Sequence, residues 1–303
     1  MGIVLGPNQY GKAEVRLVHV DRSSPRHVIT DLTVTTQLRG DFAGTHLHGD
    51  NSAVLPTDTQ KNTVYAFARR FGVGDPEAFA MRLGRHFVDT QAAVTGARIE
   101  VDTHSWERIE VDGAEHDHAF RRPGGETRTT VVTVDGDEVW VVSGLRDLVV
   151  LKSTGSEFHG FPRDEYTTLA ETSDRVLATA VTARWRYATS GGPGGHGDGF
   201  AAGHAAIRRT MLETFASLHS LALQQTLHAM GAAVLEQHPD VAEVRLSMPN
   251  KHHFVVDLTP FGLDNPGEVL LAADRPYGLI EGSVLREDAP PAGRAWESVP
   301  GFV

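Results

Sequence analysis

Residues 54–69 bring hydroxyls, a carboxylate, an amide and an ammonium group together at the start of a predicted helix, in the sequence VLPTDTQKNTVYAFAR. Thr57 or Asp58 is suited to cap this helix, because a side-chain oxygen there accepts a backbone N–H that has no partner within the helix. The apolar residues at helical spacing, which predict a buried face, are Val64, Phe67, Ala68 and Phe71.

Two interpretations of this stretch are open. The structural one is a capped amphipathic helix with no chemical role. The functional one is that a free helix start directs backbone N–H donors, together with the hydroxyl of Thr57, at an anionic ligand. Other polar clusters in the chain bear on this choice.

Three such clusters interrupt segments that otherwise have the patterns of regular elements. They are residues 158–175, residues 223–225 and residues 248–254. Each has an ordinary structural interpretation: a capped turn with surface ion pairs, the solvent-facing side of an apolar helix, and a polar break between two strands. None of the three indicates a function by itself.

The surrounding elements follow from the spacing of apolar residues. Alternation predicts an antiparallel hairpin over residues 9–38, and a loop over residues 39–55 precedes the opening helix. A second helix begins at Pro76. Further strands are predicted at 97–101, 127–134, about 139–153 (with apolar runs at 139–142 and 148–151), 175–187, 244–248 and 254–258, and further helices at 200–220 and 220–236. The predicted class is α+β, with two units of antiparallel sheet and helix pair at residues 1–136 and 137–303.

Composition restricts the class of function. The 303 residues are enough for about two domains. Lys and Arg number 28 against 39 Asp and Glu, a net charge of −11 that argues against a nucleic-acid partner. Cysteine is absent, which excludes disulfides, thiolate catalysis and iron–sulfur clusters. No signal peptide and no run of ~18 apolar residues is present, so we expect no membrane association and a cytoplasmic protein.

Two other features are weaker candidates for ligand binding. The glycine-rich residues 191–199 are expected to be a flexible surface insertion, since they lack the strand and Lys-Ser/Thr order of a phosphate loop. The pairs His46 and His48, and His116 and His118, have metal-ligand spacing. Each pair lies in a polar loop without an evident third ligand, so a metal is not favoured.

Considered together, the motifs resemble those of the urate oxidase (uricase) family. The resemblance rests on Tyr10-Gly11-Lys12, on residues 57–63 (TDTQKNT), 151–154 (LKST), 161–169 (FPRDEYTTL), 249–252 (PNKH) and 276–280 (PYGLI). These motifs occur in the order of the family over residues 9–285, which is essentially the whole chain.

The resemblance implies a fold and an activity. The fold would be two tandem tunnelling-fold (T-fold) units in each chain, and four chains would close an antiparallel barrel with active sites at subunit interfaces. The reaction would convert urate, O2 and water to 5-hydroxyisourate and hydrogen peroxide in purine catabolism, with no metal or organic cofactor. Lys12 and Thr57 would come from one chain, and Phe158, Arg175, Gln224 and Asn250 from its neighbour.

The resemblance also implies which residues bind urate. Arg175 would grip one edge of the anion, because the planar fork of a guanidinium matches a purine rim. Gln224 would donate to and accept from the opposite edge, and Phe158 would stack on the purine face. The remaining implied contacts are the backbone N–H groups of Asp58 and Leu223, and the side chain of Ile280 at the pocket wall.

A second implied site, for O2 or water, lies above the purine plane. Asn250 would hold it from one side and the hydroxyl of Thr57 from the other. Lys12 would hydrogen-bond to Thr57, and His252 would extend this proton relay. A lysine acts as a base near neutral pH only when its pKa is lowered, which burial does by disfavouring the ammonium form.

Two alternatives remain open from the sequence. One is a tunnelling-fold enzyme that acts on a pterin or another purine. Such relatives generally use metal-binding histidines or a catalytic cysteine, and this chain has no cysteine. The other is a non-catalytic binding or structural homologue, against which the joint presence of the implied site residues argues. The residues concerned are Lys12, Thr57, Arg175, Gln224, Asn250 and His252.

Overall fold

The computed structural model describes residues 2–192 and 199–299. These residues belong to two compact units. The first comprises Met1–Gly144, Arg186–His204 and Pro290–Ser298, and the second comprises Leu145–Trp185, Ala205–Ala289 and Val299–Val303. The predicted boundary between residues 136 and 137 stays a prediction, and most of the predicted glycine-rich insertion, 193–198, lies outside the described residues.

The first unit is an antiparallel sheet with two main helices. Its strands are hydrogen-bonded in the order β1-β2-β3-β6-β7, and β4 and β5 form a separate hairpin. Helix α2 packs on β1, and α3 packs on β3 and β6. The elements are β1 (Tyr10–Asp21), β2 (Val28–Gly40), α1 (Ala43–His48), α2 (Thr57–Phe71), α3 (Pro76–Thr90), β3 (Val94–His104), β4 (Glu107–Val111), β5 (Ala114–Arg121), β6 (Thr127–Asp135) and β7 (Glu138–Lys152).

The second unit begins within β7 and repeats the combination of strands and helices. Its strand order is β7-β8-β9-β10, and β9 and β10 are antiparallel. Helix α5 packs on β9 and β10. The elements are β8 (Leu177–Tyr187), α4 (Phe200–Ser217), α5 (Leu223–Gln237), β9 (Val241–Val255) and β10 (Leu270–Leu285). The predicted α+β class is confirmed. Among the described residues, no helix is long and apolar enough to cross a membrane.

The predicted apolar patterns account for the core of the first unit. Leu32, Val34 and Leu38 alternate along β2 and are fully buried, as strand periodicity requires. On α2, Val64 and Ala68 are buried as predicted, but Phe71 is 49% exposed. The Phe71 ring lies at the end of the helix, where the guanidinium of Arg82 stacks on it at 5.1 Å.

Three local predictions were wrong or incomplete. Residues 248–254 are not a break between strands but part of β9, because polar side chains do not prevent the backbone from pairing. The irregularity lies instead in β10, between Ala273 and Gly278. The predicted loop 39–55 contains the short helix α1, and the β4–β5 hairpin was not predicted. The strand predicted at about 139–153 is confirmed as β7.

A buried carboxylate fixes α3 to the sheet of the first unit. Glu77, in the first turn of α3, is fully buried. It accepts hydrogen bonds from Arg128 Nη2 at 2.7 Å, Thr130 Oγ1 at 3.0 Å and Ser143 Oγ at 2.6 Å. Three donors therefore replace the water that this carboxylate loses on burial.

We expect Glu77→Ala to lower the free energy of unfolding by about 3–5 kcal/mol, because it leaves Arg128 without its counter-charge in a buried site. Chemical denaturation of the variant and the wild type measures this. Glu110→Ala, which removes an exposed carboxylate, is the control and should change stability by less than about 0.5 kcal/mol. Equal midpoints for the Glu77 variant and the wild type would contradict the anchoring role.

Candidate active site

Helix α2 begins without a side-chain cap. Its cap residue is Pro56, and the first helical hydrogen bond runs from the Gln60 N–H to the Pro56 carbonyl at 3.1 Å. The expectation that Thr57 or Asp58 caps the helix was wrong, because both lie inside its first turn. No described residue accepts from the N–H groups of Thr57, Asp58 or Thr59. These donors are free for an acceptor from outside the helix.

The carboxylate of Asp58 is occupied within its own helix. It accepts from Lys61 Nζ, and from Asn62 Nδ2 at 3.0 Å. The hydrogen bond from Lys61 lowers the pKa of Asp58. The charge of Lys61 lowers it further, and the charge of Lys12 makes a smaller contribution in the same direction. This carboxylate therefore stays ionised, and Lys12 is close enough to the start of α2 to act on it.

Lys12 lies near the start of β1, opposite Thr36 on β2. It is half-buried, and its backbone N–H donates to Thr36 Oγ1 at 3.4 Å. No hydrogen bond joins the Lys12 side chain to Thr57 within the part of the chain that the structure describes, so that contact stays a prediction. Gly11 must be glycine here, because a Cβ would overlap the Thr36 carbonyl oxygen.

In the second unit, Phe158 and Arg175 lie against each other. The Arg175 guanidinium lies over the Phe158 ring, with its Cζ 5.2 Å from the ring centroid, and Phe161 stacks on the same ring at 5.0 Å. Backbone hydrogen bonds fix both residues: Phe158 N–H donates to the Thr172 carbonyl at 2.9 Å, and Arg175 N–H to the Ser156 carbonyl at 2.8 Å. No role was predicted for Phe161, although it lies in the 161–169 motif.

The Arg175 guanidinium has no carboxylate partner among the described residues. Its Nε is buried without a hydrogen-bond acceptor. Burial lowers the pKa of Arg175, but a guanidinium remains charged at neutral pH. A half-buried cation without a counter-charge is costly, and an anion from outside the chain would offset that cost.

Helix α5 also begins without a side-chain cap. Its cap residue is Ala222, and the first helical bond runs from the Thr226 N–H to the Ala222 carbonyl at 3.1 Å. The N–H groups of Leu223 and Gln224 precede that bond. Leu223 is buried, whereas the Gln224 side chain is exposed and free.

Hydrogen bonds between two loops bring the start of α5 to the Phe158 loop. The Ser220 N–H donates to the Gly155 carbonyl at 2.9 Å, and the Glu157 N–H donates to the Ser220 carbonyl at 2.8 Å. The structure thus brings together, in one unit, the predicted site residues Phe158, Arg175, Leu223 and Gln224.

Strands β9 and β10 carry the other predicted residues of this unit. Asn250 pairs with Gly278, and Ile280 pairs with Met248, two residues before Asn250 on the same face of β9. His252 follows on that face, and its ring stacks on Phe254 at 5.7 Å. Asn250, His252 and Ile280 are half-buried.

Comparisons with known proteins show the family of this chain. A sequence model of the uricase family matches residues 8–133 and 141–281. The uricase of Arthrobacter globiformis is 55% identical over 99% of this chain and 96% of that protein. The chain belongs to the uricase family.

Other members support the assignment. The uricase of Aspergillus flavus is 38% identical over 92% of this chain and 95% of that protein. The crystal structure of the Arthrobacter globiformis uricase matches with a TM-score of 0.92, covering 98% of this chain and 99% of that one. A uricase from Bacillus fastidious, at 24% identity and a TM-score of 0.81, shares the fold. The function of the uricase family is the oxidation of urate without a cofactor.

The uricase resemblance left one supporting residue without a role. Asp174 accepts from Thr154 Oγ1 at 2.7 Å and from the Gly155 N–H at 3.0 Å, which ties the loop before Phe158 to the turn that carries Arg175. The hydrogen bond from Thr154 is the largest cause of the lowered pKa of Asp174. The sequence signal that could have identified Asp174 is its position directly before Arg175, a predicted site residue. Among the described residues, no cluster of three or more His, Asp or Glu side chains could hold a metal ion.

We expect Asp174→Asn to flatten the acid dependence of stability. The wild-type carboxylate has a pKa below its ordinary value of 3.8, so its stabilisation is complete above that value and is lost as pH falls through the lowered one. Asn keeps a single acceptor oxygen and does not titrate. Melting temperatures measured from neutral pH to pH 3 should fall more steeply for the wild type than for this variant. Asp112→Asn is the control, and parallel curves for wild type and Asp174→Asn would refute the role.

Proposed function

We propose that this chain catalyses the oxidation of urate by O2 and water to 5-hydroxyisourate and hydrogen peroxide, without a metal or organic cofactor. The observation that carries the proposal is the Arg175 guanidinium, half-buried on the Phe158 ring with no carboxylate partner among the described residues. Urate is a planar anion. It would supply the counter-charge that the Arg175 guanidinium lacks, and its flat face could stack on the Phe158 ring.

Urate would bind in the plane of the Arg175 guanidinium. The planar fork of donors suits the oxygen and nitrogen atoms along one purine edge. The Leu223 N–H at the free start of α5 and the Gln224 amide would take the opposite edge, where the ligand both donates and accepts. Phe158 would stack on the purine face, and Ile280 would close the pocket wall.

The start of α2 would supply the remaining contacts. Its free N–H at Asp58 would donate to urate, since the Asp58 carboxylate is already occupied by Lys61 and Asn62. The Thr57 hydroxyl and the Asn250 amide would hold O2 or water above the purine plane. These roles for Thr57 and Asp58 would explain why neither residue caps α2, which begins after Pro56.

Lys12, Thr57 and His252 would move the protons of the reaction. Two electrons pass from the purine to O2, and water adds its oxygen to the ring as the new hydroxyl. The purine and the water each release one proton, and these two protons complete hydrogen peroxide. A relay of an amine, a hydroxyl and an imidazole suits this task because each group both accepts and releases a proton.

The complete site would require more than one chain. Lys12, Thr57 and Asp58 belong to the first unit, and the other proposed residues belong to the second. We propose that each site combines the first unit of one chain with the second unit of its neighbour in a homotetramer. Exposed apolar side chains on β9 and β10 support self-association, because such patches favour burial against a partner. They are Phe254, Val255, Leu271 and Leu279.

The direct test is turnover of urate in metal-free buffer. We expect loss of urate absorbance with equal uptake of O2 and release of hydrogen peroxide, and full activity after chelation. Absence of turnover would refute the proposal. Activity that is lost on chelation and restored by metal would favour the metal-dependent alternative instead.

We expect Lys12→Met to lower kcat by about 10²–10⁴-fold, the usual contribution of a positioned acid–base group, and to change the pH profile of kcat. KM for urate should change much less, because Lys12 is proposed to act on protons and not on the purine. Arg22→Met, which removes an exposed cation just after β1, is the control. An unchanged rate and pH profile for Lys12→Met would exclude this role.

Mixing two inactive variants tests whether sites are shared between chains. Lys12→Met and Arg175→Ala damage opposite halves of the proposed site, so each alone should be inactive. In mixed tetramers about a quarter of the sites combine two intact halves, and activity should return to that level. Inactive mixtures in which native mass spectrometry shows both chains in one oligomer would place the whole site within a single chain.

A further inference from the structure

Gln60 is an amide on the apolar face of α2. It is fully buried, together with Val64 and Ala68 at the following turns of the same face. A buried amide destabilises the fold unless its polar atoms are hydrogen-bonded, so an apolar side chain would be the simpler choice for packing. The position of Gln60, three residues after Thr57, therefore calls for a reason other than core formation.

The hydrogen bonds of Gln60 join two parts of the first unit. Its Oε1 accepts from Thr36 Oγ1 at 2.8 Å, and its Nε2 donates to the Leu55 carbonyl at 3.5 Å. The Leu55 carbonyl can only accept, so the amide nitrogen must face it and the amide oxygen must face Thr36. Neither a carboxylate nor an apolar side chain can satisfy both partners.

The same network reaches the strand that carries Lys12. Thr36 is fully buried and pairs with Lys12, whose backbone N–H donates to Thr36 Oγ1 at 3.4 Å. The Leu55 carbonyl also accepts from the Tyr10 hydroxyl at 3.1 Å. Gln60 is thus linked to β1 on both sides: through Thr36 to Lys12, and through Leu55 to Tyr10.

The pairing of β1 with β2 is irregular directly after Lys12. The register of the two strands shifts between Lys12 and Val15, and Glu14 has a positive φ of 55°. The ladder alone therefore does not fix Lys12 relative to the helix that begins at Thr57. The Thr36–Gln60 hydrogen bond supplies a direct connection at this point.

We infer that Gln60 is a positioning residue for the proposed oxidation of urate: through Thr36 and Leu55 it sets where Lys12 on β1 lies relative to Thr57 at the start of α2. The inference rests on the proposed function. Gln60 touches neither urate nor O2, and it acts on proton transfer through the separation of these two groups. Its loss should therefore reduce kcat more than it changes KM.

The test is Gln60→Met, which keeps the length of the side chain and removes both hydrogen bonds. We expect kcat to fall by about 10- to 100-fold, as for a small misplacement of reacting groups, with a changed pH profile of kcat and a much smaller change in KM. Val64→Ala, on the same buried face one turn later, is the control. It should lower the melting temperature without altering the pH profile.

Thr36 tests the same link from the strand, and does so even if Gln60→Met fails to fold. Thr36→Val removes the hydroxyl and should reproduce the loss of kcat, whereas Thr36→Ser keeps the hydroxyl and should restore it. The double variant Thr36→Val with Gln60→Met should be no slower than either single variant, because both break one connection.

The outcomes separate the two proposals. A wild-type chain that does not oxidise urate overturns the proposed function, and the positioning role falls with it. An active wild type with an unchanged kcat and pH profile in Gln60→Met, or in Thr36→Val, overturns the positioning role alone. Effects of the two substitutions that multiply in the double variant would also overturn it, because independent sites would then be responsible.

Discussion

The constraint on which the site depends is the charge of Arg175. A guanidinium that is half-buried loses hydration, and the described residues return to it only the face of an aromatic ring and no carboxylate. Holding it there requires rigid surroundings, which the backbone hydrogen bonds between residues 155–158, 172–175 and 220 provide. Asp174, the preceding residue, accepts hydrogen bonds from Thr154 and Gly155 and does not pair with the guanidinium. The loop structure thus preserves an unpaired cation.

The starts of α2 and α5 show the same physical device in each unit. A side-chain cap stabilises a helix by about 1 kcal/mol, and both helices forgo it, since their cap residues are Pro56 and Ala222. The unbonded N–H groups carry the partial positive charge of the helix dipole. Helix stability explains neither start, whereas the proposed anionic planar ligand would accept hydrogen bonds from both. Supporting side chains, such as Asp58 bound to Lys61 and Asn62, are kept from competing for these donors.

The sequence predicted the elements better than their ends and their connections. Periodicity sufficed for β2, where Leu32, Val34 and Leu38 are fully buried, because burial on one face of a strand dictates alternation. It failed at residues 248–254, because polar side chains do not prevent a backbone from pairing in a sheet. The site residues could be named only through motifs, because their proximity depends on loops that contact each other far apart in sequence. Gln60 was overlooked although it shares the spacing of Val64 and Ala68, because an amide does not register in an apolar pattern.

The net charge of −11 means that attraction of an anionic substrate must come from local donors such as Arg175 and the helix starts. An acidic protein repels an anionic substrate at long range, but ionic strength screens that repulsion beyond about 8 Å. Recognition of urate must then come from donors within hydrogen-bond distance. The proposed donors, a guanidinium and the free N–H groups at two helix starts, form strong hydrogen bonds with an anion at that range. A reaction without a cofactor places the same demand on the chemistry, because protons must be moved by side chains alone. The positions of the proton-transferring side chains would then be set by residues behind them, as proposed for the hydrogen bond between Thr36 and Gln60. The buried amide of Gln60 is otherwise hard to reconcile with a stable core.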